Sequence, residues 1–314
     1  MAEKFISDNG AKLHDRIRIS TDKKTYEGVL LPKHSFSGSN IVVLKLDNGY
    51  NIGVSVEGAE LTILSKAKKN KAKFPEKKNN KGLRGISVLA TGGTIASFVD
   101  YKTGAVSPAI TAEELVNSVS ALDEIANIDA EPLFSLASED MAPEHWEKIA
   151  KKAKEIHDKK RHGIVVGHGT DTMAYSAAAL SFQLPEISNP VIFTGAQRSP
   201  DRPSSDAHLN LTGATKAAMT DLGEIAVAMH QTTDDENVAI WRGTRVRKAH
   251  SSRRDAFMSP NEAPLGLVKE HVKYSGKYRP VTKETILKPG FEDNIGMVWS
   301  HPGLRIEDWE SITS

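Results

Sequence analysis

Leu89-Ala90-Thr91-Gly92-Gly93-Thr94-Ile95-Ala96-Ser97 is the stretch from which the fold is read. The apolar run Ile86 to Ala90 leads straight into two glycines and a threonine. That order predicts a buried strand followed by a tight turn. Glycines there let the backbone approach a ligand and take angles that a side chain forbids. Thr94 then stands at a strand end with its hydroxyl on a stiff β-branched side chain. In α/β sheets ligands bind in the crevice at the carboxyl ends of strands. The stretch is not a Walker loop, because Gly-Lys-Ser/Thr is missing, and it lacks the third spaced glycine of a dinucleotide fingerprint.

Downstream, residues 85–230 alternate strands and helices. After Ile86 to Ala90, Thr111-Ala112-Glu113-Glu114 reads as a capping box opening a helix whose apolar face is Leu115, Val116, Val119 and Leu122. Leu133 to Leu136 is a strand ending in Ser138-Glu139-Asp140, and Pro143 opens a helix with the buried stripe Trp146, Ile149, Ala153 and Ile156. Ile164-Val165-Val166 leads into Gly167-His168-Gly169-Thr170-Asp171-Thr172 and an alanine-rich helix. Val191-Ile192-Phe193 ends in Thr194-Gly195-Ala196-Gln197, Ser205 is the expected cap of the next helix, and Ile225 to Met229 is a fifth strand. This order predicts a doubly wound, mainly parallel sheet covered on both faces, an α/β domain over 85–260.

Upstream, residues 1–65 read as β. Arg16-Ile17-Arg18-Ile19, Thr25 to Val29, Ile41 to Leu46, Tyr50 to Val54 and Leu61 to Leu64 are short strands, with Asp47-Asn48-Gly49 as a turn. Five such strands predict a small β-barrel. Residues 66–84 form a basic linker in which lysines and Arg84 face a single Glu76. Such a run repels itself and stays solvated, although a nucleic-acid backbone would also attract it. At the other end, Val238 to Trp241 and Thr244 to Lys248 are expected to pair as a hairpin around Gly243. Residues 261–290 are expected to be an irregular linker, and residues 291–314, with strand Ile295 to Trp299, the beginning of a further α/β domain.

Across its 314 residues the chain has a formal net charge of +1 and no cysteine. Thiolate nucleophiles, thiolate metal sites and disulfides are excluded, and the composition fits a cytoplasmic protein. No global field draws it to nucleic acid or membrane. No apolar run approaches the ~20 residues that span a bilayer, and no signal-peptide core follows Met1. No spacing of His, Asp and Glu suggests a metal site.

Three sheet-end loops carry hydroxyls and carboxylates. Singly, Ser138 reads as a turn residue, Thr170 and Asp171 as a helix N-cap pair, and Lys248 as an exposed lysine. Together they match another need. A threonine nucleophile requires a nearby base, and a lysine serves as one when its surroundings favour the neutral amine. Backbone N–H groups beside the glycines would stabilise an oxyanion.

In these residues the chain resembles bacterial-type L-asparaginases. Thr91 to Ser97 and His168 to Met173 look like the two signatures of that family. Ser138-Glu139-Asp140-Met141 is similar to its substrate loop, and Lys248 matches its lysine. The N-terminal segment, through Thr25 to Pro32 and Leu46 to Gly53, resembles the barrel of the D-type subunits of archaeal glutamyl-tRNA(Gln) amidotransferases, which free-standing L-asparaginases usually lack. The resemblance implies an amidohydrolase subunit that hydrolyses glutamine or asparagine and passes ammonia to an E-type amidotransferase partner. That partner would bind the Glu-tRNA(Gln) to be converted to Gln-tRNA(Gln) and use ATP and Mg2+, so this chain needs no cofactor of its own. By resemblance Thr94 is the nucleophile, Thr170 and Lys248 remove its proton, and Asp171 orients Lys248. Ser138 and Glu139 hold the substrate's α-carboxylate and α-amine. Tyr101 is the candidate for the mobile-loop tyrosine, with the position near Ala105 as the alternative. Family members continue into a second α/β domain that builds a self-dimer and lends an acidic residue to the neighbouring site. On that comparison the chain reads as C-terminally truncated. Two other readings stay open at this point, a free-standing L-asparaginase and a non-catalytic binding remnant. Arg198, Arg202, Arg253 and Arg254 are candidate tRNA contacts.

Overall fold

The computed structural model describes residues 2–13, 15–22, 24–31, 38–46, 51–66, 80–93, 95, 97–100, 105–108, 119–160, 162–200, 204–292, 295, 299, 301–303 and 305. Thr94, Tyr101, Arg202, the capping box at 111–114 and most of the basic linker lie outside them.

The N-terminal part begins with helix α1 (Ala2–Asp8), which the sequence pattern does not reveal. Strands β1 (Arg16–Ser20), β2 (Thr25–Leu31), β3 (Ile41–Lys45), β4 (Asn51–Ser55) and β5 (Glu60–Ser65) follow. They form one antiparallel sheet in the order β4-β3-β2-β1-β5. The expected barrel is thus realised as a sheet whose outer strands, β4 and β5, are not paired with each other among the described residues. Alternation places Ile17, Ile19, Leu30, Val42, Leu44 and Val54 in one apolar cluster, closed by Ala2 of α1.

Next come β6 (Gly85–Gly92), β7 (Ser97–Asp100), β8 (Ala105–Pro108) and β9 (Asn127–Leu136). Then follow α2 (Pro143–Lys159), β10 (Gly163–Gly167), α3 (Met173–Gln183), β11 (Val191–Thr194), α4 (Ala207–Ala218) and β12 (Ile225–His230). The chain continues with β13 (Val238–Arg242), β14 (Arg247–Lys248), β15 (Phe257–Met258), β16 (Gly266–Val268) and β17 (Val272–Tyr274). The main sheet runs β17-β16-β13-β12-β11-β10-β6-β9. Strands β9, β6, β10, β11 and β12 are parallel, and β13, β16 and β17 are antiparallel. Two apolar clusters cover its faces. One carries Ala207, Leu211 and Ala214 of α4 with Val119 and Leu122, and the other carries Ile149 and Ile156 of α2 with Met173 and Leu180 of α3. Full burial of each of these large aliphatic side chains contributes about 1.5–3 kcal/mol.

Several expectations are corrected. Strand β9 starts at Asn127, six residues before the predicted Leu133, despite Pro132 inside it. It is the outermost strand, where a missing ladder donor is tolerated. Helix α4 begins at Ala207 with Asp206, not Ser205, as N-cap residue. The hairpin around Gly243 does not form. Val238–Arg242 pairs with β12 and β16, while Arg247–Lys248 pairs with Phe257–Met258. Period-2 alternation identifies a strand but not its partner. The stretch 261–290 is not a free linker, because β16 and β17 extend the main sheet. Beyond them, Leu222 bridges to Pro280 and Glu186 to Ile286. Of the expected strand Ile295 to Trp299, only Ile295 and Trp299 are described, and both are exposed.

Chain order makes β6 the pivot. From β6 the chain moves outward to β9, then returns to the other side of β6 as β10. The carboxyl ends of β6 and β10 therefore flank the point where the winding reverses, the crevice in which such sheets bind ligands.

Candidate active site

Both glycine-bearing turns open onto this crevice. Gly92 has φ +111° and Gly93 φ +81°, backbone angles that side chains rarely take. A Cβ on Gly92 would lie 2.3 Å from the Leu136 carbonyl oxygen at the end of β9, and one on Gly93 would lie 2.4 Å from Gly169 Cα. A Cβ on Gly169 would in turn lie 2.6 Å from Ser138 Cβ. Three loops, after β6, β9 and β10, thus meet backbone to backbone. Thr91 ties β6 to β10 by donating its hydroxyl to Gly167 O at 3.0 Å. The Thr172 hydroxyl donates to Ser138 O at 2.6 Å.

Lys248 arrives from far along the chain. Its Nζ donates to Thr170 Oγ1 at 2.7 Å and to Asp171 Oδ1 at 2.8 Å. The Lys248 side chain is 9% exposed and that of Asp171 66%, so the pair sits at a rim with the lysine on the inner side. Lys248 is therefore not an ordinary exposed lysine. Nor do Thr170 and Asp171 form an N-cap pair, because α3 starts at Met173 with Thr172 before it. Ser138 is buried in a 3-10 turn that runs through Asp140, and Glu139 beside it is exposed. Thr94 follows Gly93 directly, and the next residue, Ile95, is buried in the core; Thr94 and Tyr101 themselves belong to the undescribed residues. The structure therefore brings together Thr170, Asp171, Lys248 and Ser138.

Behind the second loop stands a polar chain that sequence reasoning missed. His168 is fully buried. Its Nδ1–H donates to Gly169 O at 2.7 Å, and the Ser176 hydroxyl donates to its Nε2 at 2.9 Å. Trp146 Nε1–H donates to Ser176 Oγ at 2.8 Å. Burial pushes His168 down to about 4, with the bond to Gly169 opposing, so the ring is neutral near pH 7 and its tautomer is set by the carbonyl. Ser176 lies four residues past Thr172 in an apolar helix, and a buried hydroxyl in such a helix was the available clue.

Of the candidate tRNA contacts, Arg198 is exposed. Arg253 is held by Asp255, and Arg254 turns inward to Asp235 and the Ser204 carbonyl. Among the described residues no cluster of three or more His, Asp and Glu could hold a metal ion.

Comparison with known proteins follows the same division. A family described as "Asparaginase, N-terminal" matches residues 85–279, and one described as "GatD N-terminal domain" matches residues 11–64. The chain is 44% identical to the D-type glutamyl-tRNA(Gln) amidotransferase subunit of Pyrococcus furiosus over 97% of its own length and 72% of that relative. The Thermococcus kodakarensis counterpart is 43% identical over the same shares, and that of Methanosphaera stadtmanae 39% over 96% and 70%. Among solved structures, the thermostable L-asparaginase from Thermococcus kodakarensis superposes with a TM-score of 0.65 and 33% identity, covering 73% of this chain and 67% of that one. A probable cytoplasmic L-asparaginase from Campylobacter jejuni gives 0.55 and 31%, covering 65% and 60%.

Proposed function

The chain belongs to the family of D-type glutamyl-tRNA(Gln) amidotransferase subunits, with their asparaginase domain, and from that membership we propose how it serves as the amidohydrolase component of the complex. The observation that carries the proposal is the Lys248 amine held between Thr170 Oγ1 and Asp171, where Gly169 packs on the residue preceding Thr94.

In this reading Thr94 Oγ1 attacks the side-chain carboxamide carbon of glutamine or asparagine. Its proton passes to Thr170 and on to the Lys248 side-chain nitrogen, which Asp171 holds in place. The C–N bond breaks, the leaving nitrogen takes a proton, and ammonia departs. Water then hydrolyses the acyl-threonine, restoring the hydroxyl and releasing glutamate or aspartate. Ser138 and Glu139 hold the α-carboxylate and α-amine of the substrate, and Tyr101 covers the reacting group. Preference between the two donors differs by one methylene, worth about 1–3 kcal/mol. Ammonia passes to the E-type partner, which binds Glu-tRNA(Gln) and uses ATP and Mg2+.

The matched N-terminal domain, residues 11–64, speaks against a free-standing L-asparaginase, and the assembled Thr170–Lys248–Asp171 group speaks against a non-catalytic remnant. Thr94→Val keeps the side-chain shape and removes the nucleophile. Ammonia release from glutamine and asparagine should fall on the order of a thousandfold or more. A variant that releases ammonia at the parent rate sinks the assignment. Glutamine-dependent conversion of Glu-tRNA(Gln) by the two co-purified proteins tests the partner reading.

A further inference from the structure

Behind Thr170 lies a second buried chain of polar groups, distinct from the His168 chain. Gly195, in the turn after β11, packs so closely on the second loop that a Cβ there would lie 2.6 Å from His168 O and 3.0 Å from Thr170 Cγ2. That turn is held from behind. Asn210 of α4, fully buried, donates from Nδ2 to Gly195 O and to Asp206 Oδ2, both at 3.0 Å. Asp206, also fully buried, receives the backbone N–H groups of Gln197 at 3.0 Å and Arg198 at 2.9 Å.

Both neighbours of Asn210 Nδ2 are acceptors only, so the amide orientation is forced. Its Oδ1 accepts from His230 Nδ1–H at 2.6 Å. On the far side of the buried ring, Nε2 lies 3.1 Å from Asp235 Oδ1. Arg254 Nη1 donates to the same Asp235 oxygen at 2.9 Å. Arg254 also donates to Thr233 O at 3.3 Å and to Ser204 O. It stands in the hairpin of β14 and β15, in which Lys248 pairs with Phe257 and Ala249 N–H donates to Ala256 O at 2.7 Å.

The chain therefore closes a circuit. One end presses on Thr170 through Gly195, and the other holds the hairpin that delivers Lys248 to Thr170. We propose that Asn210, His230, Asp235 and Arg254 act as positioning residues, locking the Gly195 turn to the Lys248 hairpin and so setting the Thr170–Lys248 hydrogen bond. Small displacements of a proton-transfer pair cost rate more than they cost binding. The proposal rests on the amidohydrolase reading for its activity readout, and on that alone.

The test uses Asp235→Ala, at a side chain 64% exposed, together with Arg254→Gln, the double variant and Asp235→Glu. Lys151→Gln, on the exposed face of α2 and paired there with Glu147, is the control at parent rate. Each single variant should lower kcat for ammonia release roughly tenfold with KM within about twofold. The double should be no worse than the poorer single, as members of one chain are non-additive, and Asp235→Glu should recover part of the rate. Parent-level kcat in the singles, or losses that multiply in the double, would overturn the proposal. A second readout needs no activity. Amide hydrogen exchange at Gln197 and Arg198, which do not touch Asp235, should accelerate in Asp235→Ala while β1–β5 is unchanged. Unaltered exchange there also overturns it. If the parent itself releases no ammonia from either donor, the amidohydrolase reading fails and the exchange comparison alone decides the positioning chain.

Discussion

At the scale of single residues the site is a matter of which groups meet one amine. Lys248 Nζ is shared by Thr170 and Asp171 at near-equal distances. The carboxylate is mostly in water and the lysine mostly is not. Lys248→Met fills the same volume with an apolar side chain and removes the amine proposed to take the nucleophile's proton. It should lower kcat for ammonia release by about 10²–10⁴-fold, and thermal unfolding of the variant should show the fold retained. An unchanged rate would remove Lys248 from the proposed proton path. These residues are legible in the amino-acid sequence, but through pattern: Thr170 and Asp171 lie within a six-residue signature, and Lys248 is placed by resemblance. The second chain is not legible there. Asn210 and His230 are ordinary polar letters in a helix and a strand, and only burial makes them conspicuous.

At the scale of elements, the glycines decide how closely loops pack and the buried hydroxyls decide how they are held. Helix α2 is tied to α3, and through it to the second loop, by the bonds from Trp146 to Ser176 and from Ser176 to His168. Ser176→Ala leaves an indole N–H and a ring nitrogen without partners in a dry interface. The expected cost is about 1–3 kcal/mol, read as a lower denaturant midpoint at unchanged m-value. A midpoint equal to the parent's would show that the two groups find other partners. Helix α2 itself is readable from Pro143 and its apolar stripe, and it runs as predicted through Ile156. The pairing of β13 is not readable. Its first four residues are buried and compatible with many neighbours, and the choice of β12 is made by the turn at 231–237.

At the scale of the whole molecule, two buried histidines make stability depend on pH. His168 and His157 are both pushed down to about 4 by burial. His157 reaches Thr285 at 2.7 Å, which fastens the segment after β17 to α2. A depressed folded-state value means that the unfolded chain binds protons first as pH falls. Stability is therefore intact above about pH 6.5, declines through the window down to about 4, and stays low below it. Each ring costs about 3 kcal/mol over that window. Urea unfolding between pH 7 and pH 4.5 should show the midpoint falling, and His157→Phe should flatten the slope. A parent slope already flat across the window would refute the neutral-histidine account.

The amino-acid sequence by itself determined the alternation of strands and helices, the small antiparallel unit ahead of it, and the loops in which chemistry resides. Those depend on local periodicity, glycine conformation and short-range hydrogen bonding, all encoded within a few residues. Only the tertiary structure decided that 266–274 joins the main sheet and that Lys248 meets Thr170 across 78 positions. It alone decided that Arg254 in the same hairpin reaches Asp235 and the Thr233 and Ser204 carbonyls behind that site. Such contacts arise from strand order and the packing of both sheet faces, and no local pattern carries the identity of a distant partner.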